Sequence, residues 1–515
     1  MDTATVHVSR KDSASARGSV FIQRLADKKV TSVFGLIVFL FFGGAFDASI
    51  FFRYPVPVGL DGYYYVLQIN SFLTSSHFYY PTRTPVVLYG LCALSFLTAN
   101  PTLVVKIVSI LLHASLCAGV FVLTRNALGT VWLSLLGVVL AELTRLHLFM
   151  TAEFVNNLGA LSLVVWTLVF SIRFLQKRRR LDISIAAVLT LAALFSHRST
   201  GFILVAILWS VALFHWFVVA SFQGRTIRYA VVAAAVSLFA PAVLAAQPFF
   251  ALPSALGSQL TMVPDFTLFT WFLPEAIQLF ILLIGTALVL SLRRITEWSG
   301  ERAAIYLAGS TGLTAIFFQN PFFNGSHGMA SVAGRIFILV YVQTAVLAPA
   351  LIFLVMKWRP RVAWGLTCVV LLLVGFSAIS EGPAGLKPEV LTRRVRLTQA
   401  LTEKKKDFPS NAIVIAEHGD EFAVTATTGR IAAHDPIPGA KNDTTYWLLD
   451  LDSTNAPLEG LIVSVGEASI ISLVTDEALR NYLARASRRE KLRLFAKNIH
   501  VGRAARITHW FGEQE

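Results

Sequence analysis

The chain has 515 residues, of which 55% are hydrophobic and only 14% are charged, whereas soluble domains carry about 25% charged residues. This composition excludes an ordinary cytosolic enzyme and a disordered protein. The formal net charge of +14 could indicate nucleic-acid binding, but in a chain this hydrophobic it indicates basic loops on the cytoplasmic side of a membrane and no nucleic-acid partner.

Apolar runs predict a polytopic α-helical membrane protein with about eleven transmembrane helices, because about 17–25 charge-poor residues suffice to cross a bilayer. The polar, basic residues 1–29 precede the first run as a cytoplasmic tail and lack the features of a cleaved signal peptide. The predicted spans are 30–46, 102–124, 129–150, 156–175, 182–196, 200–221, 229–246, 273–292, 302–318, 333–356 and 362–380.

Lysine and arginine predict the orientation of these spans, because basic loops face the cytoplasm. They are concentrated in residues 1–29 and in the loops 176–180, 225–228, 293–302 and 357–361. We therefore expect a protein of the bacterial inner membrane with a cytoplasmic N-terminus. Its transmembrane part, 30–380, is expected to be followed by a periplasmic domain.

The long first outer loop, 47–101, holds the most informative motif. Asp61 lies in a glycine-containing turn and is followed by an amphipathic stretch, 64–73, which is expected to form a helix along the membrane surface. The apolar stretch 85–99 is too short to span a bilayer. It is therefore expected to form a juxtamembrane or re-entrant helix.

Residues 381–515 differ abruptly in composition from the rest. Apolar runs at 412–416 and 461–465 predict buried strands, and the stretches 391–406 and 475–486 predict helices. Alternating helices and strands are typical of a small soluble α/β domain.

Ionisable residues cluster on the predicted outer face, where residues near lipid are functional candidates by default. A carboxylate that accepts a proton, together with arginines whose planar fork suits phosphate, fits sugar transfer from a lipid-phosphate donor. The candidate catalytic residues are Asp61 and Glu153, and the candidate substrate- or phosphate-binding residues are Arg198, Arg335, His197, Arg83, Tyr64 and Tyr65.

Structural interpretations compete with these roles. Asp61 could cap the helix that follows it, and the tyrosines could form an interfacial aromatic belt. Asp47 could end the first helix or pair with a nearby arginine. Glu142 and Arg145 could pair with each other, and Lys106 could snorkel to the membrane surface.

No built-in metal site is expected. No two histidines stand at metal-ligand spacing, and the three cysteines lie in apolar runs, where they are expected to pack. The cluster Glu417-His418-Gly419-Asp420 is expected to be a turn after a strand.

Five features in chain order carry a resemblance to a known family. They are the motif Gly59-Leu-Asp61-Gly-Tyr-Tyr-Tyr65, the segment Thr84-Pro-Val-Val-Leu-Tyr89, the turn Thr124-Arg-Asn-Ala-Leu-Gly129, Glu153 in a later outer loop, and Arg335 before an apolar run. With these features the sequence resembles the GT-C superfamily of polytopic glycosyltransferases, which includes protein O-mannosyltransferases and the bacterial lipid A aminoarabinose transferase. The resemblance covers roughly residues 30–360.

The resemblance implies an inverting transfer of a sugar from a polyprenyl-phosphate donor lipid to an acceptor hydroxyl of a glycan, a lipid or a protein. The leading hypothesis is therefore a glycosyltransferase with Asp61 as the general base, Glu153 assisting, and Arg198 and Arg335 as phosphate contacts. The Asp-Glu pair usual in the family is Asp61-Gly62 here, and the loop has no Asp-x-Asp motif. The involvement of a divalent cation is therefore left open.

Two other functions fit the same sequence. A transporter or flippase of lipid-linked saccharides predicts polar groups near the bilayer midplane and inverted repeats. A non-catalytic membrane assembly protein predicts that Asp61 and Glu153 are dispensable and that residues 381–515 are not.

Overall fold

A computed structural model describes residues 28–82, 85–197, 200–212 (except 202, 206 and 209), 265–292, 300–319, 332–435, 445–452, 460–465 and 469–502. Its helices are α1 (Lys28–Phe51), α2 (Gly62–Ser75), α3 (Val86–Thr98), α4 (Pro101–Leu128), α5 (Val131–Leu143), α6 (Arg145–Glu153), α7 (Val155–Lys177), α8 (Arg180–Ser196), α9 (Thr267–Trp271), α10 (Leu273–Leu292), α11 (Gly300–Phe318), α12 (Val332–Ile338), α13 (Val340–Trp358), α14 (Pro360–Ile379), α15 (Pro388–Glu403), α16 (Asp420–Thr428), α17 (Asp476–Arg485) and α18 (Arg488–Lys497). Its strands are β1 (Ile413–Ile415), β2 (Ile431–Ala433), β3 (Thr445–Asp452), β4 (Gly460–Val465) and β5 (Ser469–Thr475).

Among the described residues, six helices are long and apolar enough to cross a membrane, and the chain is accordingly a polytopic helical membrane protein. They are α1, α4, α7, α10, α13 and α14. Helices α5 and α6 would together make a seventh span, which bends by 62° at its break. The predicted spans 182–196 and 302–318 fall on α8 and α11. The predicted span 229–246 and part of 200–221 lie outside the described residues.

The bundle is built around α13. In an 18-residue window of this helix 89% of the residues are buried, compared with 6% in α1. Helix α13 is apolar all round, as expected of a helix surrounded by others, and it packs against α5, α10, α11 and α14. Phe34, Phe41 and Phe42 of α1 are exposed, which suits a lipid-facing helix at the edge.

The C-terminal part folds as a five-stranded mixed sheet in the order β2-β1-β3-β5-β4. Strand β1 is parallel to both β2 and β3, whereas β5 is antiparallel to β3 and β4. Side chains alternate along β3, so Leu448 packs towards α15 while Trp447 and Leu449 pack towards α17 and α18. Because both faces carry apolar side chains, helices cover the sheet on both sides.

The sheet domain docks on the amphipathic helix α2. Tyr63, Tyr65 and Ile69 of α2 share one apolar cluster with Leu391 of α15 and Ala423 of α16. At the rim of this contact, the Tyr63 hydroxyl lies 2.7 Å from Thr398 Oγ1. The predicted surface helix is thus sandwiched between the bundle and the sheet domain.

Several charged residues of the bundle have other partners than the sequence indicated. Lys106 does not snorkel, because it is buried and donates to the carbonyl of Tyr54 at 2.6 Å. Asp47 is buried and lies 3.1 Å from Nε2 of His147, which replaces the expected arginine partner.

Glu142 and Arg145 do not pair with each other. Glu142 lies 3.3 Å from His113 on α4, and Arg145 Nε donates to Glu275 on α10 at 2.9 Å. The bend between α5 and α6 separates the two side chains, so three-residue spacing does not bring them together as it would on one straight helix.

The Arg145–Glu275 ion pair is expected to be necessary for the stability of the bundle. The carboxylate of Glu275 is 2% exposed and also accepts from Ser377 Oγ at 2.6 Å. Glu275→Ala would leave the Arg145 charge uncompensated and should lower the free energy of unfolding by roughly 3–5 kcal/mol. Denaturant unfolding in detergent micelles measures this change.

The control is Glu381→Ala, since the Glu381 carboxylate is 83% exposed and contacts only exposed Lys387 among the described residues. Exposed pairs contribute roughly 0–1 kcal/mol. Equal losses in the two variants would contradict the prediction.

Candidate active site

The turn that carries Asp61 requires glycine at residue 59. Gly59 has φ +75°, and a Cβ at this position would lie 2.0 Å from the carbonyl oxygen of Ala152. Only glycine combines this left-handed conformation with so close a backbone contact. The turn is therefore pressed directly against the end of α6.

Asp61 occupies the N-cap position of α2, but its side chain makes no capping hydrogen bond. The interpretation of Asp61 as a helix cap is therefore wrong. The carboxylate is 23% exposed, and its Oδ1 lies 3.4 Å from Nε2 of His418 in the sheet domain. Asp61 thus points into the seam between the bundle and the C-terminal domain.

Glu153 holds the backbone of this turn. Its buried Oε2 accepts hydrogen bonds from the backbone N–H groups of Leu60, at 2.5 Å, and Asp61, at 3.4 Å. A charge-assisted bond of this kind is stronger than one between neutral groups. Glu153 therefore contacts Asp61 through the main chain, and its carboxylate lies behind the turn.

The sheet domain holds the turn from the opposite side. Arg394, which is 1% exposed, donates to the carbonyl of Gly59. The backbone of Gly419 packs so closely on Leu60 that a Cβ there would lie 2.8 Å from the Leu60 oxygen. Three consecutive residues of the first loop, 59–61, are thus fixed between α6 and the C-terminal domain.

His418 is the residue of this site that sequence analysis missed. Its Nδ1 lies 3.0 Å from Glu421 Oε1, while its Nε2 faces Asp61. Hydrogen bonding to Asp61 and then to Glu421 raises the pKa of His418 to about 10. The predicted turn does follow β1, and the side chain of His418 extends from this turn towards the first loop. His418 could have been recognised as a site residue, because it follows the parallel strand β1 and ligands gather at the carboxyl ends of parallel strands.

Tyr64 and Tyr65 have different environments. Tyr64 is half-buried in an aromatic cluster, stacked on Tyr80 at 5.9 Å and edge-on to Phe422 at 5.6 Å between ring centroids. Tyr65 is 4% exposed, and its hydroxyl accepts from the Asn156 amide at 3.3 Å. The belt interpretation is therefore wrong for Tyr65, which has no access to lipid. Burial raises the pKa of Tyr65, and the nearby Asp61 adds to the increase.

Arg335 belongs to the same end of the bundle. Its guanidinium lies over the ring of Phe154 at 5.4 Å, next to Glu153 in the chain. Its Nε is buried and has no hydrogen-bond partner among the described residues. Arg335 is close enough to act electrostatically on Tyr65 and on His197. The ring of His197 is held locally, because its Nδ1 lies 3.0 Å from Thr200 Oγ1. The other two predicted phosphate contacts, Arg83 and Arg198, lie outside the described residues.

No protein-family model and no curated protein matches the sequence significantly. The crystal structure of ArnT from Cupriavidus metallidurans in the apo state is similar to this chain with a TM-score of 0.48 and 11% identity, over 90% of this chain and 99% of that one.

The close packing at Gly59 can be tested against a glycine with the same backbone conformation and open surroundings. Gly129 has φ +71°, and a Cβ added there would have no atom within 4 Å. Gly129→Ala should cost only the left-handed strain, roughly 1–2 kcal/mol. Gly59→Ala should cost more, because the Ala152 carbonyl must also move. The free energies of unfolding of the two variants measure the difference, and equal losses would show that the Gly59 contact is unimportant.

Proposed function

We propose that this chain is a membrane glycosyltransferase of the GT-C type, which transfers a sugar from a polyprenyl-phosphate donor to an acceptor hydroxyl at the periplasmic face of the bacterial inner membrane. The placement of Asp61 carries the proposal. Its carboxylate caps no helix, is accessible, and is presented by a backbone that is fixed on both sides. These properties suit a general base that takes a proton from a substrate.

The proposed reaction is a single displacement. Asp61 takes the proton of the acceptor hydroxyl while the acceptor oxygen bonds to the anomeric carbon of the sugar. The bond between that carbon and the phosphate oxygen breaks, and the lipid phosphate leaves with the bonding electrons. Because attack and departure occur on opposite faces, the anomeric configuration is inverted.

Arg335 is the proposed contact for the departing phosphate. A buried guanidinium Nε without a partner is expensive unless a ligand supplies an acceptor. Phosphate oxygens match the guanidinium fork, and the negative charge that develops on the leaving group would be stabilised by it. The proximity of Arg335 to Tyr65, four residues after Asp61 in α2, supports a role in the same site.

Glu153 and the tyrosines take different roles in this proposal. Glu153 is a positioning residue, because it acts on Asp61 through the backbone amides of the turn. Half-buried Tyr64 is the proposed contact for substrate, together with its neighbours Tyr80 and Phe422. Buried Tyr65 supports α2 from behind.

One observation favours a transporter or flippase as the second candidate. A cavity of about 520 Å³ lies among the membrane helices and is lined by Phe42, Phe46, Glu142 and His147. Its polar residues stand near the ends of their helices, however, with Glu142 close to the end of α5 and Arg145 at the start of α6. Movement of a lipid-linked saccharide without any glycosyl product would favour this second function.

The substitution Asp61→Asn keeps the shape of the side chain and removes the base. Transfer should fall by about 10²–10⁴-fold, the range supplied by a positioned proton acceptor. The measurement is sugar transfer by purified protein in nanodiscs from a radiolabelled polyprenyl-phosphate sugar, with Glu381→Gln as an exposed control. Undiminished transfer by a folded Asp61→Asn variant would remove Asp61 from the mechanism.

The substitution Arg335→Lys keeps the positive charge but loses the planar fork, so it should raise the KM for the donor at least about tenfold. Arg335→Gln should in addition lower kcat, because the leaving phosphate loses its counter-charge. Arg361→Gln, at an exposed position at the start of α14, is the control. Unchanged donor kinetics in both Arg335 variants would contradict the assignment.

A further inference from the structure

We infer that His418, Glu421 and His434 of the sheet domain bind a divalent metal ion of the zinc class at the seam beside Asp61. Each residue offers one ligand atom, and these atoms all lie within 4.8 Å of one another. Local spacing does not predict a metal here, because the two histidines stand sixteen positions apart.

The topology of the sheet explains why these residues meet. His418 follows the end of β1, and His434 directly follows the end of β2, which is the parallel neighbour of β1. Carboxyl ends of parallel strands lie at the same edge of a sheet. Glu421 is in the first turn of α16, which connects the two strands at that edge. The ring centroids of His418 and His434 are 5.8 Å apart.

The ligand set matches zinc chemistry. Two imidazoles and one carboxylate are the protein ligands of many catalytic and accessory zinc sites, with a fourth position left for water or substrate. Zinc holds such ligands at about 2.0–2.2 Å, so two ligand atoms stand at most about 4 Å apart. Closing the site requires only a small rotation, which the half-exposed side chains of His418 and His434 permit.

A buried and unsatisfied oxygen points independently to a ligand. Glu421 is 2% exposed, and its Oε2 has no hydrogen-bond partner among the described residues. An ionised carboxylate is costly to bury with an oxygen unpaired. A cation bound between Glu421 and the two histidines would satisfy it.

Each histidine of the proposed metal site also contacts a further carboxylate. His418 Nε2 lies 3.4 Å from Asp61 Oδ1, and His434 Nε2 lies 2.9 Å from Asp435 Oδ2. Metal-bound histidines commonly donate their second ring nitrogen to a carboxylate, which fixes the ring. His418 is already oriented in this way, with its Nδ1 facing Glu421.

The local charge also favours a cation. Among the described residues, Asp61 and Glu421 form ion pairs with His418 and with no lysine or arginine. A bound metal ion would compensate the negative charge of both carboxylates.

The role of the metal rests on the proposed function. Bound metal would fix the His418 ring, and the ring would hold the Asp61 carboxylate in one orientation for proton transfer. The metal itself needs no contact with the sugar or the phosphate. The occupancy of the site and the transfer reaction can therefore be measured separately.

The test uses the full chain in nanodiscs, stripped with a chelator and titrated with Zn²⁺ alone. We expect one tightly bound equivalent by elemental analysis, at least tenfold weaker binding in His434→Ala and Glu421→Gln, and unchanged binding in His77→Ala, which removes an exposed histidine elsewhere. His434 is also half-exposed, so its variant should fold even if Glu421→Gln does not. Thermal unfolding checks the fold of each variant.

Two results would overturn the inference. One is Zn²⁺ binding that neither His434→Ala nor Glu421→Gln weakens. The other is a bound equivalent that disappears in Cys117→Ser, since His113, Cys117 and Glu142 form the second His/Cys/carboxylate group among the described residues. Tight binding that depends on His434, with no sugar transfer by the unsubstituted protein, would retain the metal site and reject the glycosyltransferase proposal.

Discussion

The bond from the buried Glu153 carboxylate to the backbone amide of Leu60 is the interaction on which the site depends. It converts a glycine-containing loop, which would otherwise have many conformations, into a fixed support for Asp61. Gly59 makes the bond sterically possible, and Arg394 closes the turn from the other side. The amides of the turn and the nearby Arg394 charge offset only part of the desolvation of Glu153. The carboxylate of Asp61 needs no local bond of its own and is left available in the seam.

The same arrangement explains why the C-terminal domain belongs to the site. Helix α2 meets the domain through Tyr63, whose hydroxyl lies 2.7 Å from Thr398 Oγ1 of α15, and through Tyr64, whose ring contacts Phe422 of α16. His418 and the aromatic ring of Phe422 thereby reach Asp61 and Tyr64. The seam consequently has chemistry that neither the bundle nor the domain has alone, with a carboxylate from one side and an imidazole from the other.

Much of the local structure could be predicted from the sequence. The apolar stretch 85–99 forms the short helix α3, and the predicted strands 412–416 and 461–465 correspond to β1 and β4, because hydrophobic length and periodicity are local properties. The partners of charged residues could not be predicted in this way. Spacing suggested that Glu142 pairs with Arg145, but a 62° bend directs them to different helices. The approach of His418 to Asp61 depends on how two distant segments dock, and no local pattern encodes that contact.

The Gly59–Arg394 bond joins residues that are 335 positions apart, which has a consequence for biosynthesis. Domains fold as units while the chain is made from its N-terminus. The first loop is therefore synthesised long before Arg394 and His418, and during that interval its apolar helix α2 lacks the surface that later covers it. Contacts of such large sequence separation also form slowly. The nascent loop thus needs protection, by the membrane surface or by a chaperone, until the sheet domain is complete. The site around Asp61 is therefore assembled as one of the last events of folding.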